Sequence, residues 1–209
     1  MATWTRFYIN ASEIQKVEEF LMDISRIKKS TKGNIPDDLH DSFILDDHSK
    51  PNYLVFGQVQ KEWITVLYNS ANKLTDWAEK ISKNLNCTVI VTIAQNTVDY
   101  YYFAQYKNGT KAREIEVCYG DNIDPINYGT PYKFEADEPG EREEYEGEVS
   151  YLFDFDSLEK YAQHFGLELQ HNWDNIQWTI LKGEQKQETL KNLIQVHSSQ
   201  NKKPWWKIW

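Results

Sequence analysis

Catalysis or metal binding in this chain would start from five histidines, His40, His48, His164, His171 and His197, and two cysteines, Cys87 and Cys118. No two histidines stand at HxH or HxxxH spacing, and the cysteines are far from C-x-x-C distance, so the pattern of a zinc site is missing. Asp46-Asp47-His48 is a short cluster that reads as a solvated loop. Asp154 and Asp156 form a D-x-D pair of the kind that can hold Mg²⁺. Asp156, however, also opens Asp156-Ser157-Leu158-Glu159, which has the form of a helix capping box. No G-x-S-x-G places a nucleophilic serine. Neither cysteine sits at a helix start that would lower its pKa. The nine glycines form no phosphate-cradling pattern. Carboxylates assembled only in space, as in glycosidases, leave no such spacing behind. The residues therefore imply no metal and no cofactor, and they lean away from an enzyme.

Charge is more informative. From Glu135 to Glu148 the chain reads EADEPGEREEYEGE, eight acids and one base, which is −7 of the net −9 of the whole chain. Such a block is either a solvated loop or a surface built to meet something basic. Glu141, Glu143, Glu144, Glu146 and Glu148 are the candidate contacts to a basic protein partner. A sequence pI near 5.1 argues against general nucleic-acid binding, which needs a basic footprint. At the other extreme, Lys202-Lys203-Pro204-Trp205-Trp206-Lys207-Ile208-Trp209 is a basic aromatic tail. Trp205, Trp206 and Trp209 could anchor it to the protein's own body, a partner or a membrane surface.

Those residues need a frame. With 40% hydrophobic and 14% aromatic residues, a packed core is expected. The cleanest apolar run, Val89 to Ile93, is far short of the roughly 20 residues of a membrane helix, and Met1 to Arg6 shows no apolar leader, so a cytosolic protein with reduced cysteines is expected. Trp4–Ile9 reads as a strand. Asn10 caps a helix bearing Ile14, Val17, Leu21 and Ile24. Lys28 to Gly33 reads as a basic loop. Tyr53–Val59 and Trp63–Tyr68 are strands, the second apolar enough to be central. Ser70 caps a helix with Leu74, Trp77, Ala78, Ile81 and Leu85 on one face. Cys87–Ile93 is a strand, and Asp99–Lys107 and Thr110–Tyr119 flank Asn108-Gly109, a strong hairpin signal. Tyr100-Tyr101-Tyr102-Phe103 reads as strand packing rather than a base-stacking platform. Beyond the acidic block, a helix with Leu158, Tyr161, Ala162 and Phe165 stops at Gly166, Trp178–Leu181 is a strand, and Leu190, Leu193, Ile194 and His197 mark a last helix.

The order β-α-β-β-α-β followed by a hairpin predicts an α+β fold with a ferredoxin-like split βαβ core. The expected organisation is a core over 1–120, an acidic connector loop over 121–150, a smaller C-terminal α/β lobe over 151–198, and the tail from 199 to 209. Trp63-Ile64-Thr65-Val66, Leu74, Trp77-Ala78, Ile81-Ser82, Leu85 and Val89-Ile90 together resemble a pattern in small, acidic, uncharacterised bacterial proteins, some of which accompany toxin systems as immunity proteins. The similarity covers about residues 63–120 and carries over no binding or catalytic residue.

The functional expectation is a non-enzymatic protein-binding module, and the resemblance implies one of immunity-inhibitor type acting on a basic toxin. The alternative is a small-ligand protein or enzyme with a site between the sheet face and the C-terminal lobe, lined by Tyr101, Tyr119, Tyr128, His164 and Trp178. A third expectation is a homodimer formed through an exposed sheet edge or the tryptophan tail.

Overall fold

A computed structural model describes residues 3–34, 51–70, 72–119, 124–137, 141–145, 148–170, 173 and 176–183. Its strands are β1 (Thr3–Asn10), β2 (Ser30–Gly33), β3 (Tyr53–Gln60), β4 (Trp63–Tyr68), β5 (Thr88–Gln95), β6 (Tyr100–Lys107), β7 (Thr110–Cys118), β8 (Ile126–Gly129), β9 (Glu141–Tyr145), β10 (Glu148–Leu152) and β11 (Trp178–Lys182). The helices are α1 (Ile14–Ser25), α2 (Thr75–Asn84), the short α3 (Lys133–Asp137) and α4 (Phe155–His164). Nine strands form one antiparallel sheet in the order β2-β11-β3-β4-β1-β5-β6-β7-β8, and β9 and β10 pair separately.

This architecture corrects the ferredoxin-like expectation. Apart from β2, the local elements from β1 to β7 lie where hydrophobic periodicity puts them, but the sheet is more than twice as wide as a four-stranded core. The basic segment read as a loop forms β2 at one edge, and β11 enters the same sheet between β2 and β3. The C-terminal segment is thus stitched into the sheet rather than set apart as a lobe. Each strand seeks backbone partners for its N–H and C=O groups, and which partner it finds is a long-range matter that local pattern does not encode.

Side chains alternate across the sheet, so it buries two faces. On the first, Phe7, Ile9, Phe56, Ile64, Val66, Val89 and Val91 pack against Val17 and Leu21 of α1 and Trp77, Ala78 and Ile81 of α2. Burying each such side chain contributes about 1.5–3 kcal/mol. On the second, Tyr8, Ile90 and Phe103 pack against Leu158, Tyr161 and Ala162 of α4. β4, with all six residues buried, has apolar neighbours on both sides. Arg6 also points into the second face, where it donates to the Leu169 carbonyl at 2.7 Å and lies 4.4 Å over the Trp173 ring. Burial pulls its pKa down to about 10, against the raising influence of Tyr8.

Two turns depend on glycine. Asn108 and Gly109 both take left-handed φ values, +51° and +80°, as a type I′ hairpin between β6 and β7 requires. A Cβ on Gly109 would sit 2.8 Å from the Lys83 Cβ, and its N–H donates to Ser82 Oγ at 2.9 Å. The hairpin tip therefore docks on the end of α2. Gly166, at φ +72°, ends α4.

The helix starts differ from the sequence expectation. Glu13, not Asn10, occupies the α1 cap position and makes no side-chain cap bond. Leu74 precedes α2 in a left-handed conformation, while Ser70 Oγ accepts from the Asn72 N–H. Asp154, not Asp156, caps α4, its Oδ1 accepting from the Ser157 N–H at 2.8 Å.

Candidate functional site

A cleft of about 380 Å³ opens on the second sheet face where β7 and β8 meet α3, β10 and α4. Alternation on β7 supplies Arg113, Ile115 and Val117 to this face, while Glu114 and Glu116 go to the other. Ile115 and Val117 form the apolar floor with Phe134 and Phe153, and Ser157, Lys160 and Tyr119 contribute polar atoms.

Arg113 organises one wall. Only 1% of its side chain is exposed. Its Nε and Nη2 donate to the two Glu135 carboxylate oxygens at 3.0 and 2.6 Å, and Nη1 donates to Asn127 Oδ1 and the Tyr128 carbonyl, both at 2.7 Å. Glu135 Oε1 also accepts from the Tyr132 N–H at 2.8 Å. Burial works to raise the Glu135 pKa, but hydrogen bonds from Arg113, the Tyr132 amide and Tyr161, with the guanidinium charge, hold it below the usual carboxylate range. The first acid of the acidic run is thus a half-buried structural partner that ties α3 to the sheet.

Next to this wall Tyr132, Phe134, Tyr161, His164 and Phe165 stack on one another at ring separations of 4.8–5.9 Å. The Tyr132 hydroxyl donates to Gln105 Oε1 at 2.7 Å. Tyr119 extends the rim at the other end. Its hydroxyl accepts from the Phe153 N–H at 2.9 Å, and its own N–H donates to the Asp99 carbonyl at 3.2 Å.

The structure sorts the residues singled out in the sequence. Tyr119 lines the cleft, and Tyr128 stands exposed on β8 beside it. Tyr101 is buried on β6 opposite Val117, and His164 belongs to the aromatic stack. Trp178 cannot share a site with them. It is fully buried on β11, second in the sheet order where β7 is eighth, a difference of six strand positions, or roughly 29 Å at ~4.8 Å per strand. There it lies on Gly57, whose added Cβ would come within 3.2 Å of the indole. Of the acidic candidates, Glu141, Glu143 and Glu144 lie on β9 and Glu148 opens β10, so this part of the run is a hairpin and not a loop. Glu144 is exposed. Glu146, the Asp46-Asp47-His48 cluster, Trp205, Trp206, Trp209, His171 and the last helix expected around Leu190 lie outside the described residues.

On the first face, β7 carries two buried carboxylates that sequence reading passed over. Glu114 accepts from the Tyr102 hydroxyl at 2.8 Å and pairs with Lys111 at 2.7 Å. Glu116 accepts from the Tyr100 hydroxyl at 3.0 Å and pairs with Lys73. Burial and then the Glu116 carboxylate push the Tyr100 phenol well up; for Tyr102, burial, Tyr106 and Glu114 do the same. The alternation Arg-Glu-Ile-Glu-Val suggests a solvated glutamate face, and only the tyrosine hydroxyls of β6 reveal the reverse. Each carboxylate is satisfied by a phenol and an ammonium, which makes this a structural network.

Among the described residues no group of three or more His, Cys, Asp or Glu side chains is placed to hold a metal ion. No described helix is long and apolar enough to cross a membrane.

No family model, curated protein or solved structure matches this chain. The functional reading therefore rests on the cleft itself.

Proposed function

We propose that this protein is a non-enzymatic binding module that receives a basic protein partner on the surface around the cleft, in the manner of an immunity-type inhibitor of a basic toxin. One observation carries the reading. Among the described residues, the exposed large hydrophobic side chains are Tyr119, 49% exposed, and Tyr128, 53% exposed, and both stand at this end of the sheet. Tyrosine left in water beside an apolar cleft is typical of contact surfaces, where its ring gives area and its hydroxyl gives direction. The acidic hairpin leads directly into this surface, since Leu152 at the end of β10 and Phe153 after it line the cleft. Opposite charge would speed encounter and fix register. The deep ionisable groups beside the cleft, Arg113 and Glu135, are bound to each other, which suits a scaffold better than a catalytic pair.

The test is affinity capture from the source organism's lysate, comparing the wild type with Tyr119→Ala/Tyr128→Ala and with a form in which Glu141, Glu143, Glu144, Glu146 and Glu148 are all changed to Gln. A partner lost with the tyrosines and weakened at low salt with the glutamines is the expected result. Equal recovery by all three baits would overturn the reading.

A second reading, a small ligand held in the same cleft, is favoured by its volume, which falls in the usual range of about 300–1,000 Å³ for such sites. Ligand-induced thermal shifts that survive loss of both tyrosines would select it.

A further inference from the structure

Trp205, Trp206 and Trp209 follow Lys202-Lys203-Pro204, with Lys207 and Ile208 between them. From Thr189 to Trp209 the sequence carries Lys191, Lys202, Lys203 and Lys207 and no acid. A segment of this composition is suited to an apolar surface beside negative charge. Each indole covers about 150–250 Å² when buried, while a lysine keeps its ammonium in water at the rim.

The cleft on the second face offers such a surface. Ile115, Val117, Phe134 and Phe153 make its apolar floor, and Tyr119 and Tyr128 stand exposed at its edge. Glu141, Glu143, Glu144 and Glu148 of the adjoining hairpin outnumber Arg142 and the Lys160 of the wall. Tail and cleft are complementary in apolarity and in charge.

The register of the sheet brings them within reach. It carries Leu181 through Leu54 and Tyr68 to Thr5 of β1, then through Ile93 and Tyr102 to Glu116, beside Val117 of the cleft floor. The chain therefore leaves β11 at the end of the sheet where the cleft floor lies, six strands away, or roughly 29 Å. Trp205 comes 22 residues after Gly183. With residues 190–197 coiled as a helix at about 1.5 Å each and the others extended at about 3.3 Å each, those residues span up to roughly 55 Å, enough to pass around α4. A tethered segment also meets its site at an effective concentration of about millimolar, which favours it over a second copy or a free partner.

We infer that residues 202–209 dock in this cleft of their own chain, the tryptophans on the apolar floor and the lysines toward the acidic hairpin. The inference stands on the cleft and the tail, and it goes beyond the binding-module reading by making the tail a built-in competitor. A basic partner must displace a basic aromatic segment already in place.

The experiment places the photocrosslinker p-benzoylphenylalanine at Trp206 of the full-length chain and maps its products by mass spectrometry in a mixture of ¹⁴N and ¹⁵N chains. Crosslinks within one chain to peptides carrying Val117, Tyr119, Phe134 or Phe153 are the expected result. Crosslinks elsewhere on the body, or none, would overturn the docking. Crosslinks between light and heavy chains would give the cleft to a second copy's tail and overturn it as well. A second measurement uses Trp205→Ala/Trp206→Ala/Trp209→Ala, with preserved NMR peak dispersion showing that the variant is folded. Its Val117, Tyr119 and Phe153 amides should shift from their wild-type positions. It should also bind a separate peptide of residues 202–209 ~10-fold or more tighter than the wild type, whose cleft is already filled. Equal affinity for the peptide would refute self-docking and leave partner capture through Tyr119 and Tyr128 standing. If crosslinks reach the cleft but capture does not depend on those tyrosines, the docking stands and the partner reading fails.

Discussion

Glu135→Gln gives the sharpest measure of how the cleft is built. The substitution keeps side-chain shape but removes the charge facing a guanidinium that is 1% exposed and makes two bonds to that carboxylate. A buried pair broken on one side costs roughly 3–5 kcal/mol, because the remaining ion is left uncompensated. Two features of the site moderate this. Glu135 is 13% exposed, and Arg113 keeps its bonds to Asn127 and the Tyr128 carbonyl. The expected loss is therefore about 3 kcal/mol, at the low end of that range. With a urea m-value of about 2 kcal/mol/M, the unfolding midpoint falls by about 1.5 M. Arg113→Met/Glu135→Leu removes both charges together and should lose much less than the single change, since no ion is stranded. The pH dependence has a definite sign. The folded pKa of Glu135 is depressed, so its contribution is fully present above the unfolded value near 4.3 and is lost as pH falls through the lower folded value. Stability of the wild type should thus fall more steeply below about pH 4 than that of Glu135→Gln. A Glu135→Gln loss under ~0.5 kcal/mol, in the range of an ordinary surface change, would refute the reasoning. So would a double variant as unstable as the sum of its parts.

Other outcomes follow from single contacts. Asp154→Ala should cost about 1 kcal/mol by removing the α4 cap, whereas Asp154→Asn should be close to neutral because Asn caps as well; urea titration of the pair checks this. Gly109→Ala should cost at least about 1 kcal/mol, read as a lowered Tm, since φ +80° disfavours any Cβ and the Lys83 side chain occupies its space. Cys87, buried and with its thiol pushed up to about 11 by desolvation, should resist a thiol reagent at pH 8 in the folded protein and react on unfolding. Gly57→Val should destabilise more than Gly57→Ala in thermal melts, because the indole of Trp178 and the Ile176 side chain already lie 3.2 Å from where the first carbon would go.

Much of the local structure is legible in the chain. β4 runs over Trp63–Tyr68 as its apolar character indicates, and Asn108-Gly109 turns a hairpin because few other dipeptides accept two left-handed residues. Tyr119, from the set proposed to line a site, does line the cleft. The cap assignments at Asn10, Ser70 and Asp156 missed, because the conformation at each helix start depends on where the preceding segment delivers the chain: α1 and α2 begin at Glu13 and Leu74 with no side-chain cap bond, and Asp154 takes the cap of α4. Arg113 and Glu135 were not legible as a pair. They stand 22 residues apart, one on a strand and one within an acidic run that looks wholly solvated.

What the sequence determined by itself is the central elements, β1, β3 to β7, β11, α1, α2 and α4, and their apolar faces, since periodicity, turn residues and propensity act within a few residues of each other. It also fixed the concentration of acid between residues 135 and 148. Tertiary structure alone decided which strands pair, that β11 joins β3 in the sheet, and that α4 covers the face opposite α1 and α2. It alone separated the acids by role, with Glu135 half-buried and paired with Arg113, and Glu144 exposed. The physical reason is the same in each case. A carboxylate's charge is written in the chain, but its solvation, and with it its function, depends on what distant segments bring to it.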